Sequence, residues 1–345
     1  MSKVAVYGAG IFGQIFSNCL NKIDFFIDDY SKEDYIQNIQ VVKLKYVSKD
    51  TKIYISPLQY SSQIEQNLKD NGFSNIVNFT NSIKTIPNIL EEIAKTNYLW
   101  LTPTSKNIDK KAIAKVTDLL VDEKSKYILK SIVNLRQTND IKYYVNPSDI
   151  EYFPSDIPIL KNLKEVNFVD CGAYIGDTIE ELLKQNLNIG YTISFEPDNK
   201  NLIALNTTLS SLNLNSSIVY PAGVYSKNTI LNFTNNGIDS SAAISEDSSI
   251  KIPVVSLDTI LLNSNPNFIK MDIEGAEKEA IIGAKNIIQK YKPNLAICIY
   301  HKEEDLWELP LLINKIEPSY DMYVRVHEDL CLSTVLYCIS KDRYV

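Results

Sequence analysis

The chain has two histidines, His301 and His327. Histidine titrates near neutrality, so each is a candidate for moving a proton at physiological pH. His301 closes the apolar run "NLAICIYH", which places it at the carboxyl end of a strand, where open α/β sheets bind their ligands. Upstream, "FIKMDIEGAEKEAIIGA" runs from a strand into Asp272, Glu274 and Gly275, and a helix begins at Ala276. Alternate side chains of an extended segment share a face, so Asp272 and Glu274 are expected to point the same way. His301, Asp272, Glu274 and His327 are then the groups that can take a proton from a weak nucleophile such as a hydroxyl. Arg325 sits two residues before His327 in "MYVRVH" and can hold a phosphate or carboxylate of a substrate. Plainer roles compete: Glu274 and Glu277 suit a helix N-terminus, and Arg325 suits a surface ion pair. Asp272, Glu274 and His301 also offer donors to a divalent ion, but no spacing demands one, and no metal is expected.

Two glycine turns compete for a cofactor. The first is "VAVYGAGIFGQ", a strand followed by Gly8-x-Gly10-x-x-Gly13 and an amphipathic run, with Asp28 and Asp29 ending the next strand. Such a pattern fits a dinucleotide, whose pyrophosphate takes the helix N-terminus and whose ribose takes the acid. The second is "VNFVDCGAYIGDT", with Asp170 before the turn and Gly172, Ala173, Gly176 and Asp177 within it. An acid at the strand end suits the amino group of a cationic cofactor such as S-adenosylmethionine better than an anionic pyrophosphate. Twenty residues after Gly176, Glu196 and Pro197 end the strand of "ISFEPD", where an acid can accept both ribose hydroxyls of an adenosine.

These residues need a sheet to hold them. Strand and helix patterns alternate over about 1–80, fade over about 81–160, and resume over about 161–345. Strands are expected at 166–171, 191–196, 217–221, 252–256, 267–272, 294–300, 320–326 and 334–339, with an extra hairpin strand at 228–237. Helices are expected at 176–186, 198–210, 276–290 and 304–316. Alternation of this kind argues for a parallel sheet covered by helices. The last two strands are joined by only a few residues, which permits an antiparallel pair and not a parallel crossover. The fold expected is α/β: a small Rossmann-like domain at 1–80, a helical connector at 81–160, and at 161–345 a doubly wound sheet ending in an antiparallel hairpin, an arrangement that resembles Rossmann-like methyltransferase domains.

Composition narrows the function classes. A formal net charge of −7 over 345 residues argues against a dedicated nucleic-acid binder, which would carry a basic face. Met1-Ser2-Lys3 leads straight into a strand without a signal-peptide pattern, and no apolar run is long enough to span a membrane. The five cysteines are spread without a C-x-x-C pair, which fits reduced thiols, without zinc or disulfides. A cytoplasmic protein acting on a small molecule or glycan is expected, with no nucleic acid among its partners.

The second half resembles the FkbM family of S-adenosylmethionine-dependent methyltransferases. The resemblance rests on "VDCGAYIGDT", "SFEPDNKNL", "IPVVSLDTIL", "FIKMDIEGAE" and "YHKEEDLWELP", in that order over about residues 165–340. In the connector, "DEKSKYILKSIVNLRQTND" and "EYFP" look like segments that precede this domain in longer members. The resemblance implies methyl transfer to oxygen, often on a sugar, polysaccharide or secondary-metabolite hydroxyl. It implies that Asp170, Gly172 and Gly176 line the methionine end of the cofactor and that Glu196 holds the ribose. Ala222 and Gly223 then lie near the adenine, and Asp272 near the transferred methyl. Val326 separates Arg325 from His327, where longer members often have the two adjacent. The small first domain is weakly similar to those at the N-terminus of sugar acyltransferases and some sugar-modifying methyltransferases. It is compatible with a nucleotide-sugar ligand or with scaffolding. Two other functions compete: an NAD-dependent oxidoreductase using the first loop, and a non-catalytic ligand-binding protein.

Overall fold

The computed structural model describes residues 2–58, 60–96, 108–161, 163–235, 242–244 and 250–341. Contacts divide the chain into two units, Met1–Asn107 with Ser131–Asn146, and Ile108–Lys130 with Pro147–Val345.

The first unit holds a six-stranded sheet in the order Tyr35–Ile36, Ile39–Val42, Phe25–Ile27, Val4–Tyr7, Lys52–Ile55, Ile76–Val77. All neighbours are parallel except the first pair, a hairpin. Its two linking residues, Gln37 and Asn38, both have positive φ, as a tight hairpin turn of the I′ type requires. The short apolar strands "VAVY", "FFI" and "KIYI" lie at the centre, with Ala5, Phe25, Ile27, Ile53 and Ile55 packed on Leu68 and Phe73. The small parallel sheet read from the sequence is present, and the Tyr35–Val42 hairpin extends it at one edge.

The second unit is built on seven strands: β1 Val166–Cys171, β2 Ile189–Phe195, β3 Ser217–Tyr220, β4 Phe268–Met271, β5 Asn294–Cys298, β6 Tyr320–Val326 and β7 Thr334–Ser340. Their order is β3-β2-β1-β4-β5-β7-β6. The first five in this order run parallel, while β7 pairs antiparallel with both β5 and β6. This is a Rossmann-like sheet closed by an antiparallel hairpin, as the sequence leads one to expect. Strands buried on both faces read as continuous apolar runs, and β4, β5 and β7 are buried along their whole length. Phe168 of β1 lies 5.0 Å, ring to ring, from Phe268 of β4, and Phe153 adds an edge contact to the same ring at 5.8 Å. Full burial of one such ring stabilises the fold by about 1.5–3 kcal/mol.

Two departures from the sequence pattern matter. Ile250–Val255 leaves the main sheet and forms a separate four-stranded sheet with Gly223–Val224, Thr229–Asn235 and Ala242–Ile244. The last two positions of the 228–237 stretch lie outside the described residues. The helix expected at 276–290 breaks at Ala284 into Glu277–Gly283 and Lys285–Tyr291. There Gly283 admits the backbone of Tyr225, whose carbonyl oxygen would stand 2.1 Å from a Cβ. No helix among the described residues is long and apolar enough to cross a membrane.

Candidate active site

Strand order reverses between β1 and β4, which run parallel: from β1 the sheet grows toward β2, and from β4 toward β5. The crevice beyond the carboxyl ends of such a pair is where doubly wound sheets take ligands. Asp170 lies near the end of β1, and Asp272, Glu274 and His301 follow the ends of β4 and β5.

The turn after β1 is held against the turn after β4. Gly172 has φ +80°, and a Cβ at this position would stand 1.9 Å from the carbonyl oxygen of Asp272. Only glycine fits. The N–H groups of Gly172 and Ala173 both donate to the carbonyl of Phe195, and that of Gly176 donates to Ala173. Asp177 is exposed and opens the helix Asp177–Lys184, where its charge suits the helix dipole.

Asp170 is fully buried, with Lys270 Nζ 3.1 Å from Oδ1. The same Nζ donates to the carbonyl oxygen of Gly172 at 2.6 Å. Burial raises the Asp170 carboxyl to about 6, with Lys270 opposing. Burial works against the ammonium charge of Lys270, but Asp170 and Asp272 outweigh it and its affinity for the proton rises. Asp170 therefore acts from behind the loop, through Lys270, as well as offering a carboxylate oxygen that has no hydrogen-bond donor. Lys270 is absent from the residues inferred from sequence. Its one signal is a lysine inside the apolar strand "FIKM".

Glu196 ends the strand pattern at β2 and is 5% exposed. Its Oε2 accepts the Tyr174 N–H at 3.0 Å and its Oε1 accepts the Asp198 N–H at 2.8 Å. One carboxylate thus ties the loop after β1 to the loop after β2. Burial raises its affinity for a proton, opposed by these backbone donors. The Asn201 side-chain amide also donates to Oε1, at 3.5 Å, and since a carboxylate has about four lone-pair positions, capacity for a further hydroxyl donor remains on Oε2. Pro197 follows it, half-buried, and Ala222 and Gly223 follow β3, with Gly223 opening the small sheet.

Asp272, Glu274, Glu277 and His301 form one cluster. The ring of His301 approaches Glu277 Oε1 at 3.0 Å, Asp272 Oδ1 at 3.3 Å and Glu274 Oε2 at 3.7 Å. The alternation expected to align Asp272 with Glu274 does not extend this far. The strand ends at Met271, and Glu274 and Gly275 both take positive φ. A turn, not a pleat, carries Glu274 to the histidine. Burial pushes Glu274 up to about 7. Burial also works against a charge on Asp272, but His301 and Lys270 hold its carboxyl well below the usual range. His301 resists protonation through burial, yet Glu277 and Asp272 raise its affinity for the proton well above the ordinary value. Glu277 is fully buried, with Oε1 accepting the Ile273 N–H at 2.9 Å. Its position at the helix start is what the sequence suggests, and its contact with His301 is what the sequence conceals. Tyr152, from the "EYFP" segment, completes the cluster with a hydrogen bond to Asp272.

Arg325 and His327 do not reach this cluster by the contacts they make. Arg325 is 1% exposed, and its guanidinium is engaged by Asp122 at 2.6 Å, Asp156 at 2.9 Å, Ser125 and the Val324 carbonyl. An anionic substrate group finds no free donor there, which corrects the expected binding role. His327 bonds through Nδ1 to the Asp149 carbonyl and through Nε2 to the Tyr337 hydroxyl, each at 2.8 Å. Burial lowers its affinity for a proton. A neutral ring with both nitrogens engaged braces the hairpin.

In the first unit, Gly8 has φ +88°, and a Cβ on Gly13 would stand 2.0 Å from the Gly8 carbonyl oxygen. Asp28, in the place of a ribose acid, spends one carboxylate oxygen on the Ala9 N–H and the other on Tyr30 and Ser31. The acid closes the loop on itself.

Residues 170–322 match the family model of the methyltransferase FkbM domain. The second unit carries an FkbM methyltransferase domain. The crystal structure of the methyltransferase FkbM from Methylobacillus flagellatus is similar over 98% of this chain and 90% of its own, at 22% identity and a TM-score of 0.64. This likeness extends the shared fold across the chain. An rRNA methylase from Streptococcus thermophilus is similar at 13% identity over 51% of this chain and 85% of its own, with a TM-score of 0.33. A SAM-dependent methyltransferase from Leishmania major is similar at 11% identity over 72% and 89%, with a TM-score of 0.31. No curated protein sequence matches. Within the FkbM domain, Asp170 and Met322 bound the match, so Glu196, Lys270, the Asp272 cluster and His301 all fall inside it.

Proposed function

We propose that the FkbM domain transfers a methyl group from S-adenosylmethionine to a hydroxyl of a sugar or glycan precursor. The observation that carries the cofactor assignment is Glu196, nearly buried at the crevice and tying together the two loops that would flank an adenosine. Oδ2 of Asp170, which has no hydrogen-bond partner while Oδ1 faces Lys270, fits an ammonium, and the close approach of Gly172 to Asp272 fits a cofactor lying across both turns. In this assignment Asp170, Gly172, Ala173, Gly176 and Asp177 hold the methionine end. Glu196 and Pro197 hold the ribose, and Ala222 and Gly223 lie beside the base.

The bound sulfonium supplies an activated methyl carbon. The protein then has to align an acceptor oxygen with it and accept a proton. Asp272 and His301 orient the acceptor hydroxyl. Glu274, 32% exposed and on the open side of the cluster, takes its proton.

Calorimetry with S-adenosylmethionine, S-adenosylhomocysteine and NAD tests the cofactor. The first two are expected to bind, and Glu196→Ala is expected to weaken them at least about tenfold, the loss of one charge-assisted hydrogen bond. Unchanged affinity in that variant would show the ribose assignment to be wrong. A labelled methyl donor with nucleotide sugars and glycan fragments tests the acceptor class.

A further inference from the structure

The cluster at the end of β4 has the makings of a cation site. A carboxylate oxygen of Asp272, one of Glu277 and a ring nitrogen of His301 all lie within 4.8 Å of one another. The His301 side chain is 8% exposed, and neither ring nitrogen has a hydrogen-bond partner. Asp272 Oδ1 and the fully buried Glu277 Oε2 also have none. The ring stands close to both acids but out of line for a hydrogen bond. Four buried polar atoms without a hydrogen bond in one place, three of them held only by ion-pair proximity, leave room for a ligand, since such atoms are otherwise costly.

The donors suit a metal in kind and in distance. Two carboxylates and one imidazole, without thiolate, form a set that first-row divalent ions accept. Ligand atoms stand about 2.0–2.2 Å from such an ion, so opposite ligands are about 4 Å apart. The three donors, within 4.8 Å of one another, are close to that span. The ligands are also braced from outside. Asp272 Oδ2 accepts the Tyr152 hydroxyl at 2.8 Å, and Glu277 Oε1 accepts the Ile273 N–H at 2.9 Å. Outer contacts of this kind fix the orientation of metal ligands. Glu274 Oε2, 3.7 Å from the His301 ring, supplies a further oxygen at the open side.

We propose that Asp272, Glu277 and His301 bind one first-row divalent metal ion, with Glu274 beside its open face. A metal there would lower the pKa of an acceptor hydroxyl, and that role rests on the methyl-transfer function proposed above. Binding of the ion does not.

The full chain, stripped with EDTA and dialysed, is titrated with manganese(II) chloride while free Mn²⁺ is read by electron paramagnetic resonance. One saturable ion per chain is expected. Glu277→Gln keeps an oxygen for the Ile273 N–H, and together with His301→Ala it is expected to weaken binding about 10–100-fold. No saturable binding up to about 1 mM Mn²⁺, a scale typical of the weakest specific metal sites, would overturn the proposal. So would affinity unchanged in both variants. Calorimetry with S-adenosylmethionine on the same samples separates the two claims. Lost cofactor binding with retained Mn²⁺ would sink the methyl-transfer function and leave the metal site standing, and the reverse would sink only the metal site.

Discussion

The hydroxyl of Tyr152 donates a 2.8 Å hydrogen bond to Oδ2 of Asp272, 120 residues further along the chain. The backbone of Tyr152 is fixed in turn, since its N–H donates to the Tyr337 oxygen at 3.1 Å. Tyr337 then donates to His327 Nε2, because His327 Nδ1 carries the proton given to the Asp149 carbonyl. A chain of side chains thus runs from the terminal hairpin to the carboxylate at the crevice. Tyr152→Phe removes one donor and leaves a buried carboxylate oxygen short. A loss of about 1–3 kcal/mol is expected, measured as a shift in the urea midpoint. Stability within error of wild type would mean that water or another donor replaces the phenol.

Lys270 is the counter-charge of Asp170. Lys270→Met leaves a fully buried carboxylate unpaired, which typically costs about 3–5 kcal/mol. The double variant with Asp170→Asn is expected to recover much of that loss, because the stranded charge is gone. Denaturant unfolding of both proteins checks the pair. If the single variant loses less than about 1 kcal/mol, the two charges are not coupled in the way their distance implies.

Gly172 is irreplaceable by sterics. In Gly172→Ala the new methyl meets the Asp272 carbonyl, so the protein is expected to fold poorly or to lose the register between the two turns. Gly10→Ala is the contrasting case, since a Cβ there has no neighbour within 4 Å and the residue caps a helix with negative φ. Its effect is expected to stay within about 1 kcal/mol. Comparable thermal midpoints for the two variants would refute the close approach at Gly172.

The buried guanidinium of Arg325 sets an acid limit on stability. Burial tends to raise Asp122 and Asp156, but Arg325 holds both below the ordinary carboxyl value. A group with a depressed folded pKa contributes stability above its unfolded pKa of about 3.9 and loses it as pH falls through the folded value. The thermal midpoint is therefore expected to drop below roughly pH 4. In Arg325→Met the midpoint is lower at neutral pH and the acid-side drop is shallower. Equal acid slopes in the two proteins would remove Arg325 from the account.

Much of the frame was legible because it repeats locally. Apolar runs punctuated by glycine and proline located β1, β4 and β6 within a residue or so. The short link before β7 announced the antiparallel end of the sheet. The carboxylates at strand ends were legible for the same reason, since a strand pattern has a readable end. Arg325 was misread because a two-residue period gives the shared face and not what covers it. Its covering residues, Asp122 and Asp156, lie 203 and 169 positions away.

What the sequence determined by itself was the order of strands and helices, the two glycine turns, and the acids that follow them, all of which depend on neighbours in the chain. What only the tertiary structure decided was which charges meet. Lys270 faces Asp170, Glu277 faces His301, and Tyr152 holds Asp272, because the sheet brings β1, β4 and β5 side by side and buries the spaces between. In such a space an unpaired charge is costly. The pairing of these groups therefore follows from burial, and burial is a property of the folded sheet that no local pattern encodes.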